Sequence, residues 1–361
     1  MGHNMLITNL ELQNFRNYEE QKIDFNKNIN IFYGDNAQGK TNIIESIFLT
    51  AFGKSFRTSK EKELIRYGQD FLNISLKYQD KDRDGTIKIQ ISNKKSILVN
   101  GVKIKKLSDL LGTINIVLFT PDDINILKNG PAERRRFLDM MIGQIRPNYV
   151  HNLNLYLKVL EQRNNYLKQL RENEDVNYEL LDIWDEKLAE YAQKVCSYRL
   201  EFIEKISKKI NEIHKKITEN SETIKIEYLT DCEDKQKLLE LIKGRRKLDI
   251  IKGYTTKGVH RDDFNIYIND NLVNVYGSQG QHRTAVLSLK MSELQIIKEE
   301  IGESPILLLD DFMSELDKKR RNNFLKNIED TQVIITCTDE IEEKNIEKSV
   351  FYVYNGQIEE K

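Results

Sequence analysis

The chain has 361 residues, with 56 Lys and Arg against 57 Asp and Glu and a formal net charge of −1. That length leaves room for two or three domains, and the charge balance offers no support for a polyanion partner, so a nucleic-acid site has to be a local patch. Cys196, Cys232 and Cys337 lie far apart with no CxxC spacing and the apolar runs are far short of a bilayer, which excludes a disulfide framework, a zinc ribbon and a membrane span and leads us to expect inert thiols in a cytoplasmic protein.

Met1-Gly2-His3 reads as an appended leader, with the natural chain starting near Met5. Residues 5–35 read as short strands, "MLITNLEL" and "IDFNKNINIFY", the second feeding into a glycine loop. That loop, Gly34-Asp35-Asn36-Ala37-Gln38-Gly39-Lys40-Thr41, fits the phosphate-loop pattern G-x-x-x-x-G-K-[ST]. A helix is predicted after it, because "TNIIESIFLTAF" places Ile43, Ile44, Ile47, Phe48 and Ala51 on one face. Strand, glycine loop and helix are the context that makes a nucleotide the expected ligand. Between Asn73 and Val102 strands return, the last carrying an Asn100-Gly101 hairpin turn.

From Pro131 to Ser221 the pattern turns helical. Val150, Leu153, Leu157, Leu160 and Leu167 follow a three-four spacing broken by Asn164; Leu181, Trp184, Leu188, Tyr191, Val195, Tyr198 and Phe202 repeat it. Two long antiparallel helices are implied, with "RENEDVN" at 171–177 as their turn and the stripes as the seam between them. Strand signals resume in "IKIEYL" and "FNIYIN". Farther on, "SPILLLDDF" reads as a buried strand ending in Asp310 and Asp311, carboxylates set where open α/β sheets place their ligands. In a phosphate-loop protein Asp310 holds magnesium with the Thr41 hydroxyl, Lys40 reaches the terminal phosphates, and Asp311 orients or deprotonates the attacking water.

"YGSQGQHRT" at 276–284 precedes a helix ahead of that strand, and "MSELDKKR" at 313–320 follows it. Ser278-Gln279-Gly280-Gln281 looks like the signature loop of ABC-type ATPases, and Ser314 to Asp317 looks like their D-loop. Together with "LELQNFRNY" (10–18), "FTPDDINILKNGPAERRRFLD" (119–139) and "GVHRDDF" (258–264), these stretches resemble the RecF family of bacterial DNA replication and repair proteins, in the SMC-like branch of the ABC-type ATPases.

The resemblance implies an α/β fold: an ABC-type P-loop ATPase head (residues 1–130 and 222–361) with a β-rich N-terminal flank and an inserted antiparallel helical arm (131–221). It further implies ATP and Mg2+ as cofactors, and an ATP-dependent homodimer in which Ser278, Gly280 and Gln281 of one head face the γ-phosphate held by the other. The function it implies is duplex-DNA binding near single-strand gaps and single-strand/double-strand junctions, with slow, DNA-stimulated ATP hydrolysis as a release switch and RecR and RecA as partners. Arg16 resembles an arginine that contacts nucleotide in SMC-like heads, the alternative being a hairpin-capping surface arginine; Arg57 is a second candidate for phosphates or DNA. Pro121-Asp122-Asp123 stands at the Q-loop position without its glutamine, and Thr336-Cys337-Thr338 stands where a switch histidine is usual. That departure, with Asp311 in place of the usual glutamate, implies slow turnover. His260 and His282 fall in family motifs, though a lone histidine is more often a structural hydrogen-bonder than an acid or base.

For DNA, the basic patches hold Lys94, Lys95, Lys105 and Lys106, then Arg134, Arg135 and Arg136, then Arg245 and Arg246. Each reads as a phosphate contact or as an ordinary solvated face, and without a base-reading helix the expected binding is sequence-independent. A transport-type or metabolic ATPase is the competing reading, and it lacks an arm inserted between phosphate loop and signature. A purely structural SMC-like protein calls for a longer arm with a hinge.

Overall fold

The computed structural model describes residues 5–81, 84–172, 178–312, 330–339 and 347–361. In chain order, β1 (Leu6–Phe15), β2 (Tyr18–Asp24) and β3 (Ile29–Tyr33) lead through the glycine loop into α1 (Lys40–Phe52). Then come β4 (Leu72–Gln79), β5 (Asp84–Ile91), β6 (Lys95–Val99), β7 (Val102–Lys103) and β8 (Ile116–Phe119). A helical stretch follows: α2 (Asn125–Lys128), α3 (Pro131–Ile145), α4 (Pro147–Glu172) and α5 (Tyr178–Ile217). After it run β9 (Ile224–Leu229), α6 (Lys235–Lys252), β10 (Asp263–Ile268), β11 (Asn271–Leu272), α7 (Val273–Tyr276) and α8 (Gln279–Ile301). The chain closes with β12 (Ile306–Asp310), β13 (Val333–Cys337), β14 (Lys348–Tyr354) and β15 (Gln357–Glu360).

These elements divide into two compact units, residues 1–123 with 293–361, and residues 124–292. The first holds two six-stranded sheets. One is antiparallel, in the order β2-β1-β4-β5-β6-β7; the other, β15-β14-β3-β13-β12-β8, is parallel apart from β15. β12 and β13 are buried at every position, as their unbroken apolar runs require of strands covered on both faces. α1 touches strands of both sheets, and Ile43 to Phe52 are all buried. Burial therefore extends all round the helix, beyond the single face that the spacing predicts, because a layer lies on either side of it. Its two buried hydroxyls, Ser46 and Thr50, are satisfied within the turn, Ser46 Oγ donating to the Ile43 carbonyl and Thr50 Oγ1 to that of Ile47, each at 2.7 Å. Asn100 and Gly101 have φ of 51° and 81°, the two left-handed residues of a type I′ hairpin turn.

The second unit is wider than the 131–221 arm expected from sequence. The sheet β11-β10-β9 belongs to it, because β9 lies against α5, β10 against α3, and α6 against α4 and α5. α4 and α5 run antiparallel, since contacts pair Leu167 and Leu170 with Leu181, Arg163 with Asp185, and Tyr149 with Arg199. Within the expected 171–177 turn, residues 173–177 lie outside the described residues.

The seam on α4 is corrected in phase. Tyr149, Tyr156, Val159, Arg163, Leu167 and Leu170 are buried, whereas Leu157 is 46% exposed and Val150, Leu153 and Leu160 are half-buried. The reason is chemical, since this seam is organised on buried ions that an apolar count ignores. Arg163, fully buried, donates to Asp185 at 2.7 Å, to Asp249 at 2.8 Å and to the Thr255 hydroxyl at 2.8 Å. Arg199, also buried, donates to Tyr149 Oη (3.0 Å), the Val259 carbonyl (2.7 Å) and Asp139 (2.8 Å). Beside it Asp262 accepts from Tyr228 at 2.6 Å and Thr230 at 2.8 Å. "GVHRDDF" is in this respect a core motif. The three cysteines are buried and outside any disulfide, and burial pushes the Cys196 thiol up to about 11.

An Arg163→Leu variant strands Asp249 with hydroxyls and amides alone. Removing one partner of a buried pair costs about 3–5 kcal/mol, so the urea midpoint for unfolding of the second unit should fall sharply; an unchanged midpoint would contradict the role given to this network.

Candidate nucleotide-binding site

The glycine loop turns where it does because its neighbours leave no room for side chains. Gly34 has φ 151°, and a Cβ there would stand 2.3 Å from the Val353 carbonyl oxygen; at Gly39, φ 119°, a Cβ would meet Asn17 Nδ2 at 2.6 Å and Tyr18 Oη at 2.9 Å. The loop is held from outside its own motif. Asn17 Nδ2 donates to the Gln38 carbonyl (2.8 Å), Tyr18 Oη to the Gly39 carbonyl (3.1 Å), and the Asn355 amide to Gln38 Oε1 (2.7 Å). With its carbonyls engaged behind, the loop delivers the N-terminus of α1 into the site, where helix geometry leaves the Lys40 and Thr41 amides to an anion while the Asn42 amide donates to the Gly39 carbonyl at 2.9 Å.

Lys40 lies over this loop, donating at 2.7 Å to both the Gly34 and Asp35 carbonyls. Burial holds its ammonium below the usual lysine range, against the upward pull of Asp311, Cys337, Asp310 and Asp35. Thr41 Oγ1 donates to Asp310 Oδ1 at 2.9 Å. The same oxygen accepts from Thr336 Oγ1 at 2.8 Å, and Thr336 in turn accepts from the Asp311 amide at 3.0 Å. Burial raises the Asp310 carboxyl above its ordinary range, while the two hydroxyls, and Arg57 more weakly, pull it back. A buried carboxylate under that strain is well matched to a cation. Among the described residues no group of three or more His, Cys, Asp and Glu could hold a metal by itself, and magnesium does not need one, being bound through one or two protein oxygens plus substrate phosphates. Thr41 and Asp310 fit that requirement.

Asp311, φ 48°, adopts a left-handed conformation just past the strand end. Arg16 is neither a free nucleotide contact nor a simple hairpin cap. Its fork closes on Glu45, Nε to Oε2 at 2.8 Å and Nη2 to Oε1 at 2.6 Å, while Nη1 donates to the Glu63 carbonyl. Glu45 is fully buried and also accepts from Ser55 (2.5 Å) and Arg57 (3.3 Å); Arg57 reaches Asn42 at 2.8 Å. Glu45, Asn17, Tyr18, Asn355 and the role of Thr336 were not legible as site residues. For Glu45 a signal existed, a lone carboxylate inside the apolar run "NIIESIFL".

In the second unit Ser278 caps α8 in a reciprocal box, its amide donating to Gln281 Oε1 (2.9 Å) and its hydroxyl accepting from the Gln281 amide (3.2 Å). Ser278 and Gly280 are exposed, but the Gln281 side chain is committed within the fold, to Ser278 and to Glu222 Oε1 at 2.9 Å. The expected D-loop, 314–317, lies outside the described residues. Asp122 is exposed and Asp123 accepts from the Thr120 amide at 2.7 Å, capping the turn. His260 is held between Tyr156 Oη (2.5 Å) and the Thr255 carbonyl (3.0 Å) and pushed down by burial to about 4; His282 Nε2 bonds the Val273 carbonyl at 2.8 Å. Both histidines are structural.

Four of the expected DNA cations are corrected. Arg134 is buried and forks onto Asp263 (2.5 and 3.0 Å), Arg135 donates to the Asp262 carbonyl (2.9 Å), and Arg246 donates to Asp185 (2.7 Å) and Asp182 (2.6 Å). Lys95 donates to the Gly53 carbonyl and pairs with Glu61. Lys94, Lys105, Lys106, Arg136 and Arg245 are exposed.

The chain matches the family model described as RecF/RecN/SMC N terminal domain over residues 6–359. It is 44% identical to the DNA replication and repair protein RecF of Clostridium perfringens over 98% of this chain and 100% of that protein. With RecF of Lachnospira eligens it shares 45% identity, over 98% and 99%. Among solved structures it is similar to the recombination mediator protein RecF-ATPrS in the RecFOR pathway, at TM-score 0.92 and 38% identity, covering 99% of each chain. An SMC head bound to the C-winged helix domain of ScpA, at 17% identity and TM-score 0.59 over 98% of this chain and 96% of that one, shares the fold.

Thr336→Val deletes the hydroxyl that joins Asp310 to the Asp311 amide. A hydrogen bond to a charged group contributes about 1.5–3 kcal/mol, so calorimetry should show MgATP affinity falling at least about tenfold; affinity within twofold of the parent would remove Thr336 from the site.

Proposed function

The chain belongs to the RecF family of DNA replication and repair proteins, and we propose that it is an ATP-dependent duplex-DNA-binding protein of recombinational repair and replication restart. ATP joins two heads on DNA near single-strand gaps, and slow hydrolysis, stimulated by DNA, parts them. The chain then assists RecA loading together with RecR. RecF relatives described as a recombination mediator in the RecFOR pathway support this reading.

The observation that carries the two-headed mechanism is the state of Ser278 to Gly280. These residues cap α8, they are exposed, and a Cβ on Gly280 would find nothing closer than Ser278 Oγ at 3.8 Å. Among the described residues nothing requires that glycine, and its missing side chain leaves room for the close approach of something outside the chain. A helix N-terminus suits an anion, and the phosphate loop already provides one such site. A γ-phosphate presented by a second head is the matching ligand, which makes ATP a bridge in a two-fold dimer.

Within each head, Lys40 exchanges its loop carbonyls for the terminal phosphates, and the loop amides hold the remainder. Magnesium, when bound, neutralises the phosphate oxygens; the Thr41 hydroxyl and Asp310 carboxylate would hold it. Asp311 is the residue we assign to orienting the attacking water. Losing the γ-phosphate removes the bridging contact, so hydrolysis acts as a release switch. The exposed Lys94, Lys105, Lys106, Arg136 and Arg245 are the proposed phosphate contacts for duplex DNA, doubled by dimerisation.

Lys40→Met should abolish both ATP binding and ATP-driven dimerisation in sedimentation, and persistence of both would sink the phosphate-loop assignment. Ser278→Arg should leave ATP bound to the monomer yet block the dimer; loss of monomer binding would refute a trans role. Duplex affinity should rise with ATP and fall steeply with salt, and a complex indifferent to both would overturn the DNA-clamp reading.

A further inference from the structure

Gln281 reaches Ser278 with one end of its side-chain amide and Glu222 with the other. Its Oε1 accepts from the Ser278 amide at 2.9 Å, and its Nε2 donates to Glu222 Oε1 at 2.9 Å. A side-chain amide can present its oxygen to one partner only while its NH2 group faces the opposite way, so the carboxylate of Glu222 decides which way Gln281 points. We infer that Glu222 is a positioning residue for the Ser278-to-Gly280 loop, acting through Gln281. It fixes the reciprocal cap that keeps the first turn of α8 open to an incoming anion. This rests on the proposed trans role of that loop.

Glu222 is itself fixed rigidly to the end of α5. The chain reverses over residues 218–222 with Glu219 and Asn220 at φ 53° and 64°, and the turn is stitched by Thr218 N to the His214 carbonyl, Asn220 N to that of Lys215 and Ser221 N to that of Thr218. β9 starts at once, the Ile224 amide donating to Asn211 Oδ1 on α5 at 3.1 Å. The last turns of α5 are also joined to α8 directly. Buried His214 bonds Ser288 Oγ at 2.9 Å through Nδ1, and its Nε2 lies 3.3 Å from Glu222 Oε2. Ser288 then donates to the Thr284 carbonyl, one turn from the loop.

The 40 residues of α5 span about 60 Å at 1.5 Å per residue. The helix that begins beside the hairpin turn therefore ends five residues before the carboxylate that orients the capping glutamine. A shift of α5 along its axis would act on the loop through two contacts, the Glu222–Gln281 bond and the His214–Ser288 bond.

Three variants test this in the full chain. In Glu222→Ala, amide hydrogen exchange of the 278–281 segment in the ATP-free protein should accelerate several-fold, with an unchanged melting temperature. Glu222→Gln keeps an acceptor for Gln281 and should restore most of the protection. With ATP, Glu222→Ala should weaken dimerisation about tenfold, as loss of one charged hydrogen bond implies, without altering monomer ATP affinity. A double variant with Gln281→Ala should be no worse than Gln281→Ala alone, because the two residues act in series. Unchanged exchange in Glu222→Ala, or effects that simply add, would overturn the inference. If the parent protein fails to dimerise with ATP, the trans reading falls while the exchange result still decides the role of Glu222.

Discussion

The hydrogen bond from Thr41 to Asp310 is the contact on which the nucleotide site depends, and it is made by strand order. β3 and β12 are not neighbours; each pairs with β13 on opposite edges, with Tyr33 level with Cys337 and Asp310 level with Thr336. The parallel register therefore brings the start of α1 and the end of β12 to the same edge of the sheet, with the Thr336 hydroxyl between them. Slipping either pairing by one residue would turn the carboxylate to the other face. The buried runs of β12 and β13 resist such a slip, because every residue in them is packed.

The second unit solves a different problem. Its helices are long and its seam is charged, with Arg163 and Arg199 withdrawn from water and each held by several acceptors, although Nη2 of Arg163 meets none among the described residues. Buried ions of this kind are weak contributors to net stability when compared with apolar packing, but removing a partner is costly, so they penalise alternative registers. In a hairpin whose α5 leads within five residues to Glu222, the proposed positioning residue, that penalty has a use, because a seam that slid by a turn would carry Glu222 with it.

The elements were largely legible from sequence: the glycine loop between strand and helix, the β-rich flank, the hairpin, and the acidic strand. What went wrong went wrong for identifiable reasons. The α4 stripe was read one residue out of phase because Leu is abundant on both sides of the seam, while the buried positions include two tyrosines and an arginine. α6 was missed because its apolar residues come as the doublets Leu238-Leu239, Leu241-Ile242 and Ile250-Ile251 and form no single stripe, and the domain border was set too narrow because short strands give no sign of which layer they join. Arg134, Arg135, Arg246 and Lys95 looked like a nucleic-acid footprint because charge runs do not reveal their partners; Asp263, the Asp262 carbonyl, Asp185 and Glu61 are distant in sequence from the cations they bind.

Sequence by itself pointed to a nucleotide site, since Gly34, Gly39, Lys40 and Thr41 are a motif whose spacing suits phosphates, and it named Asp310 as the partner that the structure sets against Thr41. It also determined the family, through several motifs combined along one chain. Tertiary structure alone decided which charges are free. Arg16 and Arg57 converge on Glu45, Gln281 is committed to Glu222, and Thr336 serves the carboxylate across the sheet. Each of these pairings joins residues between 12 and 59 positions apart. A charged or amide side chain is defined by what it faces, and local sequence does not carry that information.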